Sequence, residues 1–591
     1  MAVLVSRQLL RLLVALHVLQ AACAAQPAGP ALPHYGRTAN LSGGEGFDFI
    51  IVGGGTAGCV LANRLTEHER TSVLLVEAGG DPPYESMFPA LFPAMSGSRV
   101  DKNYTSENDE RTQQCHRNRV SNLTSGHMLG GSSGLNYMLY VRGAPPDYAR
   151  WAAAARDPAW SWPGVLSYFI KSERLEDPDL LNSPYKIYHG TDGYMGVTRE
   201  NRSEINKFLE AFYEMGHEVL LDVNGDRHVG FTSPLFNIAD GVRQSAAYSF
   251  LAPIVQRKNL FILKNTLVTE VILDKDNNAK GVKVKTQRGT FLSFVARKEV
   301  ILSAGAFRSP QLLMLAGIGP RDHLEELGIP IRSNIPVGLN YQDHVATFMS
   351  FKMGESVTPS APPDKHLFPL PAFVGYVALD KHHKQPDYQV VNFVVPHDSD
   401  FPFNLCAVGY WFDYDICNNL RNGGMGKNTL FSTLNILHPR SRGRVRLRSR
   451  DPEDPPAVHT GMFSDERDLD DLAKYLEDHA RIVNTTYFKS VGSEIIDLKL
   501  EMCRGLRPWS GPYWRCYTRC VMNTMYHYAG TCALGGVVDA RLRVRGVRRL
   551  RVADASVMPT LPGGNTHAPV LMIAEKAADF IKEDHRLFCN Q

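Results

Sequence analysis

The stretch from Phe47 to Glu77 constrains the fold more than any other part of this sequence. Phe47-Asp48-Phe49-Ile50-Ile51-Val52 is apolar at every position but Asp48, the pattern of a short parallel strand buried on both faces. It runs into Gly53-Gly54-Gly55-Thr56-Ala57-Gly58, then a helix with apolar positions at Val60, Leu61 and Leu65. A second apolar strand, Val73 to Val76, follows and ends in Glu77. Each part has a physical task. The first glycine permits a tight turn, the second lets backbone approach a pyrophosphate, and the third lets the helix pack closely on the strand. The helix N-terminus offers free N–H groups and partial positive charge to phosphate, and Glu77 stands where it accepts hydrogen bonds from ribose hydroxyls. A glycine turn alone is as well explained as a plain loop. With strand, helix, second strand and acid in register, it reads as a site for an ADP moiety, built from Gly53, Gly55, Thr56, Ala57, Gly58 and Glu77. It does not distinguish FAD from NAD.

At 591 residues the chain exceeds one simple core, so two closely packed domains are expected. A net charge of +3 over that length gives no electrostatic case for nucleic acid. Past the N-terminal segment no stretch is long and apolar enough to span a bilayer. At the N-terminus, Arg7 and Arg11 precede the apolar run Leu12 to Leu19, and Ala21-Ala22-Cys23-Ala24-Ala25-Gln26 supplies small residues for cleavage. That is the order of a signal peptide, here over residues 1–25, and it implies secretion. A mitochondrial transit peptide and an uncleaved anchor are the alternatives; the run is continuous rather than amphipathic, which favours secretion. Residues 26–46, rich in Pro and Gly, read as a disordered linker. Sequons at Asn40, Asn103, Asn122, Asn201 and Asn484 fit a secretory route weakly. Of the cysteines, Cys59 and Cys532 lie inside motifs and read as buried free thiols. In an oxidising compartment Cys406 would pair with Cys417, and Cys503 with Cys516 or Cys520.

Further along, Gly126-His127-Met128-Leu129-Gly130-Gly131-Ser132-Ser133-Gly134-Leu135-Asn136-Tyr137-Met138-Leu139-Tyr140-Val141-Arg142-Gly143 and the block Ser303 to Pro320 stand out, as do Val337 to His344 and Val552 to Pro559. These four blocks resemble, in order, the signatures of the glucose–methanol–choline (GMC) flavin oxidoreductases. The likeness runs from Phe47 to about Ile581, in the flavour of the arthropod branch with its glucose dehydrogenases and ecdysone oxidases. The run Gly130 to Gly134, nearly bare of side chains, suits backbone lying against a flat ring. The resemblance implies an α/β, Rossmann-like FAD-binding fold of GMC type with an α+β substrate domain on an antiparallel sheet. It implies FAD segments at 47–144, 241–329 and 521–591, and mainly substrate-domain segments at 145–240 and 330–520. It adds Gly130, Gly131, Ser132, Asn136, Tyr137, Met138, Leu139, Ala304, Asn565 and Thr566 to the cofactor contacts. Val268 joins them through its backbone at the adenine, as do Asp554 at the ribityl chain and Ala555 beside it. Some relatives carry at the position of Leu135 a histidine that bonds covalently to the flavin; leucine cannot, so the FAD is expected to be dissociable. No metal site is expected.

Oxidising an alcohol means removing a hydroxyl proton and a carbinol hydride, the hydride to flavin N5 and the proton to a protein base. Tyr526-His527-Tyr528-Ala529-Gly530-Thr531-Cys532 and Pro562-Gly563-Gly564-Asn565-Thr566-His567-Ala568-Pro569 match the family blocks with its catalytic pair. The resemblance makes His527 the base, and histidine titrates where a base is needed. Asn565 becomes its partner. His567, where insect relatives usually have asparagine, is a departure and reads as a flavin-side residue; Ala316, in place of serine, is a mild one. Electrons would pass to a quinone or to oxygen. The substrate reading is glucose dehydrogenase-like, with an ecdysteroid or other secondary alcohol as alternative. The rival classes are a hydroxynitrile-type lyase, an inactive secreted flavoprotein and a nicotinamide dehydrogenase. The last would need a second glycine turn after a strand, and the sequence has none.

Overall fold

The structure is a computed structural model that describes residues 33–355 and 364–587. The expected signal segment lies outside the described residues. The first sheet holds β1 (Gly46–Val52), β2 (Val73–Val76), β3 (Leu260–Leu263), β4 (Thr266–Leu273), β5 (Ala279–Thr286) and β6 (Phe291–Leu302) in the spatial order β3-β2-β1-β6-β5-β4. The strand Leu550–Val552 joins in parallel beside the end of β6. Pairing is parallel from β3 to β6 and antiparallel through β5 and β4. Phe49, Ile50 and Ile51 are completely buried, as their unbroken apolar run requires. Helix α1 (Thr56–Leu65) follows β1, α2 (Gly305–Leu315) follows β6, and α3 (His567–Asp584) packs along α1. The two helices share a buried ion pair: the Arg64 guanidinium donates Nε–H and Nη2–H to the Glu575 carboxylate, each at 2.8 Å.

The second sheet is antiparallel. Strands β7 (Val345–Glu355), β8 (Ala372–Val377), β9 (Tyr388–Val395) and β10 (Lys427–Ile436) lie in the order β7-β10-β9-β8. Asn523–Thr524 pairs with the start of β7. The register sets Ala346, Asn435, Gln389 and Tyr376 side by side on successive strands. Paired residues of an antiparallel sheet point to one face, so these four form a single row across it.

Each sheet carries its own hydrophobic core. The segment 145–240 divides between them. Trp151, Trp160, Phe169 and Met195 belong to the first core, where the two indole N–H groups donate to Thr560 and Ala540 carbonyls. Ile205, Phe208, Phe212, Phe231 and Phe236 belong to the second. The strand signal at Gly443 to Arg448 forms a separate ribbon, Arg444–Arg446 with Ala457–His459, outside the second sheet.

Two expectations, on the linker and on one sequon, are corrected, and one left open is decided. The described part of the linker is ordered: Tyr35 is buried, Ala39 N–H donates to Ile262 O, and Lys264 donates to Gly36 O. Cys503 pairs with Cys516, one of the two partners expected for it, and Cys520 bonds Cys115 across 405 residues. Cys516 and Cys520 stand one turn apart on the helix Gly511–Cys520, so one face reaches two partners. The sequon at Asn122 is buried in a short strand, its amide donating to Thr124 Oγ1, and cannot present a glycan in the folded chain; Asn40, Asn103, Asn201 and Asn484 are exposed. Cys406–Cys417 forms as expected, and Cys59 and Cys532 are buried free thiols.

Candidate active site

Two glycine-bearing segments meet beyond the end of β1. Gly130 N–H donates to Gly54 O at 2.7 Å, and a Cβ on Gly131 would lie 2.8 Å from Gly55 Cα. A Cβ on Gly58 would fall 1.9 Å from Gly53 O, so the close packing of α1 on its turn admits only glycine. Of the residues expected to line the cofactor, Gly53, Gly55, Thr56, Ser132, Asn136, Tyr137, Ala304, Ala555, Asn565 and Thr566 keep some exposure within otherwise buried stretches, whereas Ala57, Gly58, Gly130, Gly131, Met138, Leu139, Val268 and Asp554 are buried. Leu135 packs into a small apolar cluster with Met95, Val100 and Met128.

The two acids are held by backbone. Glu77 Oε2 accepts Gly54 N–H at 2.8 Å and Oε1 accepts Gly79 N–H at 2.7 Å, so each oxygen keeps one lone-pair direction for a ribose hydroxyl. Asp554 Oδ2 accepts from Gly305 N–H and Ser309 Oγ–H, at 2.9 and 2.6 Å, at the start of α2. Burial pushes both carboxyls up.

This lining fits FAD, the group that the resemblance implies. A Cβ on Gly305, which has φ +82°, meets nothing within 4 Å, so the start of α2 faces open space. Around Asn136 a buried polar set is left unfinished. Arg243 Nη1 donates to the Asn136 backbone and side-chain oxygens at 2.7 and 2.9 Å, while its Nε and Nη2 have no partner. His567 Nδ1 donates to Asn237 Oδ1 at 2.9 Å, leaving His567 Nε2 and Asn237 Nδ2 unmatched. Burial and the nearby Arg243 charge hold His567 down to about 4, so its ring is neutral. A ring edge carrying both carbonyls and an N–H satisfies orphan donors and an orphan acceptor together.

His527 stands where the chain leaves the second sheet. Tyr526 before it is left-handed at φ +61°, and Met138 in the glycine-rich segment at φ +60°, two non-glycine conformations that persist only where surroundings enforce them. His527 N–H donates to Asp343 Oδ1 at 3.0 Å, and the Thr524 hydroxyl donates to Asp343 Oδ2. Burial pushes the Asp343 carboxyl up to about 7. The turn Pro562 to Asn565 is fixed by Gly564 N–H to Pro562 O and by Gly563 N–H to Asp147 Oδ2 at 2.7 Å. It brings Asn565 Nδ2 to 3.1 Å from His527 Nε2. Asn565 Oδ1 accepts from Gln389 Nε2 at 3.1 Å, and His527 Nδ1 lies 2.8 Å from His344 Nδ1. Burial, then the His344 ring, drives the His527 imidazole well below its ordinary value, so it is neutral at neutral pH.

The structure thus brings His527 and Asn565 together as expected from the sequence. Three neighbours carried no role in that expectation. His344 closes a quoted motif, the only signal pointing to it. Gln389 is a polar residue in an apolar strand, and Arg243 has no local signature. Among the described residues no group of His, Cys, Asp or Glu is placed to hold a metal ion.

Comparison with known proteins gives a consistent picture. The N-terminal GMC oxidoreductase family model matches residues 47–346 and the C-terminal one residues 439–574. Ecdysone oxidase of Spodoptera littoralis is 38% identical over 93% of this chain and 94% of its own length. Glucose dehydrogenase [FAD, quinone] of Drosophila melanogaster is 34% identical over 91% of this chain and 87% of its own. Among solved structures, pyridoxine 4-oxidase from Mesorbium loti superposes with a TM-score of 0.76 at 30% identity, over 91% of this chain and 99% of that one.

Proposed function

The chain belongs to the GMC oxidoreductase family, an FAD-dependent oxidoreductase acting on the CH–OH group of its donor, and we propose that His527 is the base and Asn565 its partner in alcohol oxidation. The observation that carries this reading is the 3.1 Å contact between Asn565 Nδ2 and His527 Nε2. Bound FAD supplies the two-electron sink that takes the carbinol hydride. The residues do the rest. A neutral imidazole has one lone pair, which takes the hydroxyl proton once the substrate displaces the Asn565 N–H that occupies it here, and burial of the ring keeps water from competing for it. The Asn565 amide N–H steadies the oxygen as it loses that proton. The lining residues from Gly53 to Thr566 named above hold the cofactor in this reading, without a covalent link at Leu135.

The substrate is a small-molecule alcohol. The ecdysone oxidase match, at 38% against 34% for the glucose dehydrogenase, favours an ecdysteroid-like secondary alcohol over a sugar. Electrons leave to a quinone or to oxygen. Secretion is supported by three disulfides and four exposed sequons. Among the described residues no helix is long and apolar enough to cross a membrane. The division into FAD segments and substrate segments is proposed as set out from the sequence.

The test is His527→Ala. It should keep its yellow FAD absorbance and lose about a hundredfold or more in turnover with an alcohol and a dye acceptor. Wild-type turnover in that variant would remove His527 from the mechanism.

A further inference from the structure

We propose that His344 is a positioning residue that fixes the tautomer of His527, so that the lone pair always lies on the nitrogen facing Asn565. The inference deepens the reading of His527 as base and rests on it.

One group beside His344 has no choice of polarity. Leu437 O, a backbone carbonyl, can only accept, and His344 Nε2 lies 3.1 Å from it, so that nitrogen carries the proton. His344 is completely buried, which holds its ring down to about 3 and therefore neutral. Its Nδ1 is then a bare lone pair. Facing it at 2.8 Å, His527 Nδ1 must be the donor. A neutral His527 with its proton on Nδ1 has its lone pair on Nε2, where Asn565 Nδ2 donates to it. That turns Asn565 Oδ1 toward Gln389 Nε2, which donates to it at 3.1 Å and to Tyr376 Oη at 3.0 Å. One backbone carbonyl thus sets the polarity of four side chains in series.

The second sheet makes the series rigid. His344 immediately precedes β7 and Leu437 immediately follows β10, strands paired through Ala346 and Asn435. Gln389 and Tyr376 occupy the same row. Without the acceptor at His344, the His527 proton can sit on either nitrogen. On Nε2 it leaves no lone pair for a substrate hydroxyl and sets N–H against N–H at Asn565. In the proposed step the hydroxyl O–H bond breaks and the proton joins His527 Nε2, while Nδ1–H stays donated to His344.

The experiment compares His344→Leu, which removes the acceptor, with His344→Asn, whose amide oxygen restores one, both as FAD-loaded enzyme. His344→Leu should lower kcat by about a hundredfold with KM little changed and flavin absorbance intact. His344→Asn should recover most of kcat. In a His527→Ala background, His344→Leu should cost nothing further, because it acts through that ring. Full kcat in His344→Leu beside an inactive His527→Ala overturns the wiring alone. So does an additive loss in the double variant. Where the Leu variant does not fold, a flavin-loaded His344→Asn as slow as His527→Ala overturns it equally. Full kcat in His527→Ala overturns the base on which the wiring rests.

Discussion

Among the described residues, the two cysteines around the first sheet, Cys59 and Cys532, are buried and unpaired, whereas around the second sheet six cysteines form three disulfides. The first region is closed by other means: parallel strands under continuous apolar runs, and buried ion pairs such as Arg64–Glu575 and Arg551–Glu299. The second is a sheet of larger loops whose ends are tied covalently, above all by Cys115–Cys520. Chain closed into long loops gains most from a cross-link. The two regions should therefore fail under different insults.

The largest effect should come from Glu575→Gln, which leaves the Arg64 charge buried without its counter-ion. About 3–5 kcal/mol of stability should go, equally in oxidising and reducing buffer, as read by denaturant unfolding. Acid should act next, and on the same region. The Glu299 carboxyl is held down to about 2: burial opposes its charge, but His585 and Arg551 outweigh that. A carboxyl depressed in the folded state stabilises fully above its unfolded value. That contribution, a few kcal/mol, should fade as pH falls from the ordinary glutamate range toward 2, by thermal melting across pH. Smallest and opposite in place, Cys115→Ser should cost about 2–4 kcal/mol and abolish most of the sensitivity to reductant. Cys59→Ala, as the control, should leave that sensitivity unchanged. Equal reductant sensitivity in Cys115→Ser and wild type would erase the contrast between the regions.

How much of this was legible in the sequence follows from how local each feature is. The turn Gly53 to Gly58 was readable because a strand, three glycines and a helix must be contiguous to bind phosphate. His527 and Asn565 were readable because each sits in a short block whose neighbours shape its turn. Cys115 was not, since nothing near it anticipates a partner 405 residues away. Gln389 was hidden for a different reason: its strand reads as plain core, and only the register against β8 and β10 puts it beside Asn565. The packed linker at Tyr35 was misread because Pro and Gly report local stiffness and bend, not the tertiary slot that an aromatic ring finds.

The contact between His527 and Asn565 has one more consequence. His527 is carried at the exit of the second sheet, and Asn565 at the entrance of α3 in the first core. Their 3.1 Å separation is therefore a gauge of how closely the exit of the second sheet is held against the entrance of α3. A slight parting along that seam would disarm the chemistry while every strand remained paired. Loss of turnover on warming should therefore run ahead of melting, as activity and circular dichroism followed on one temperature ramp would show.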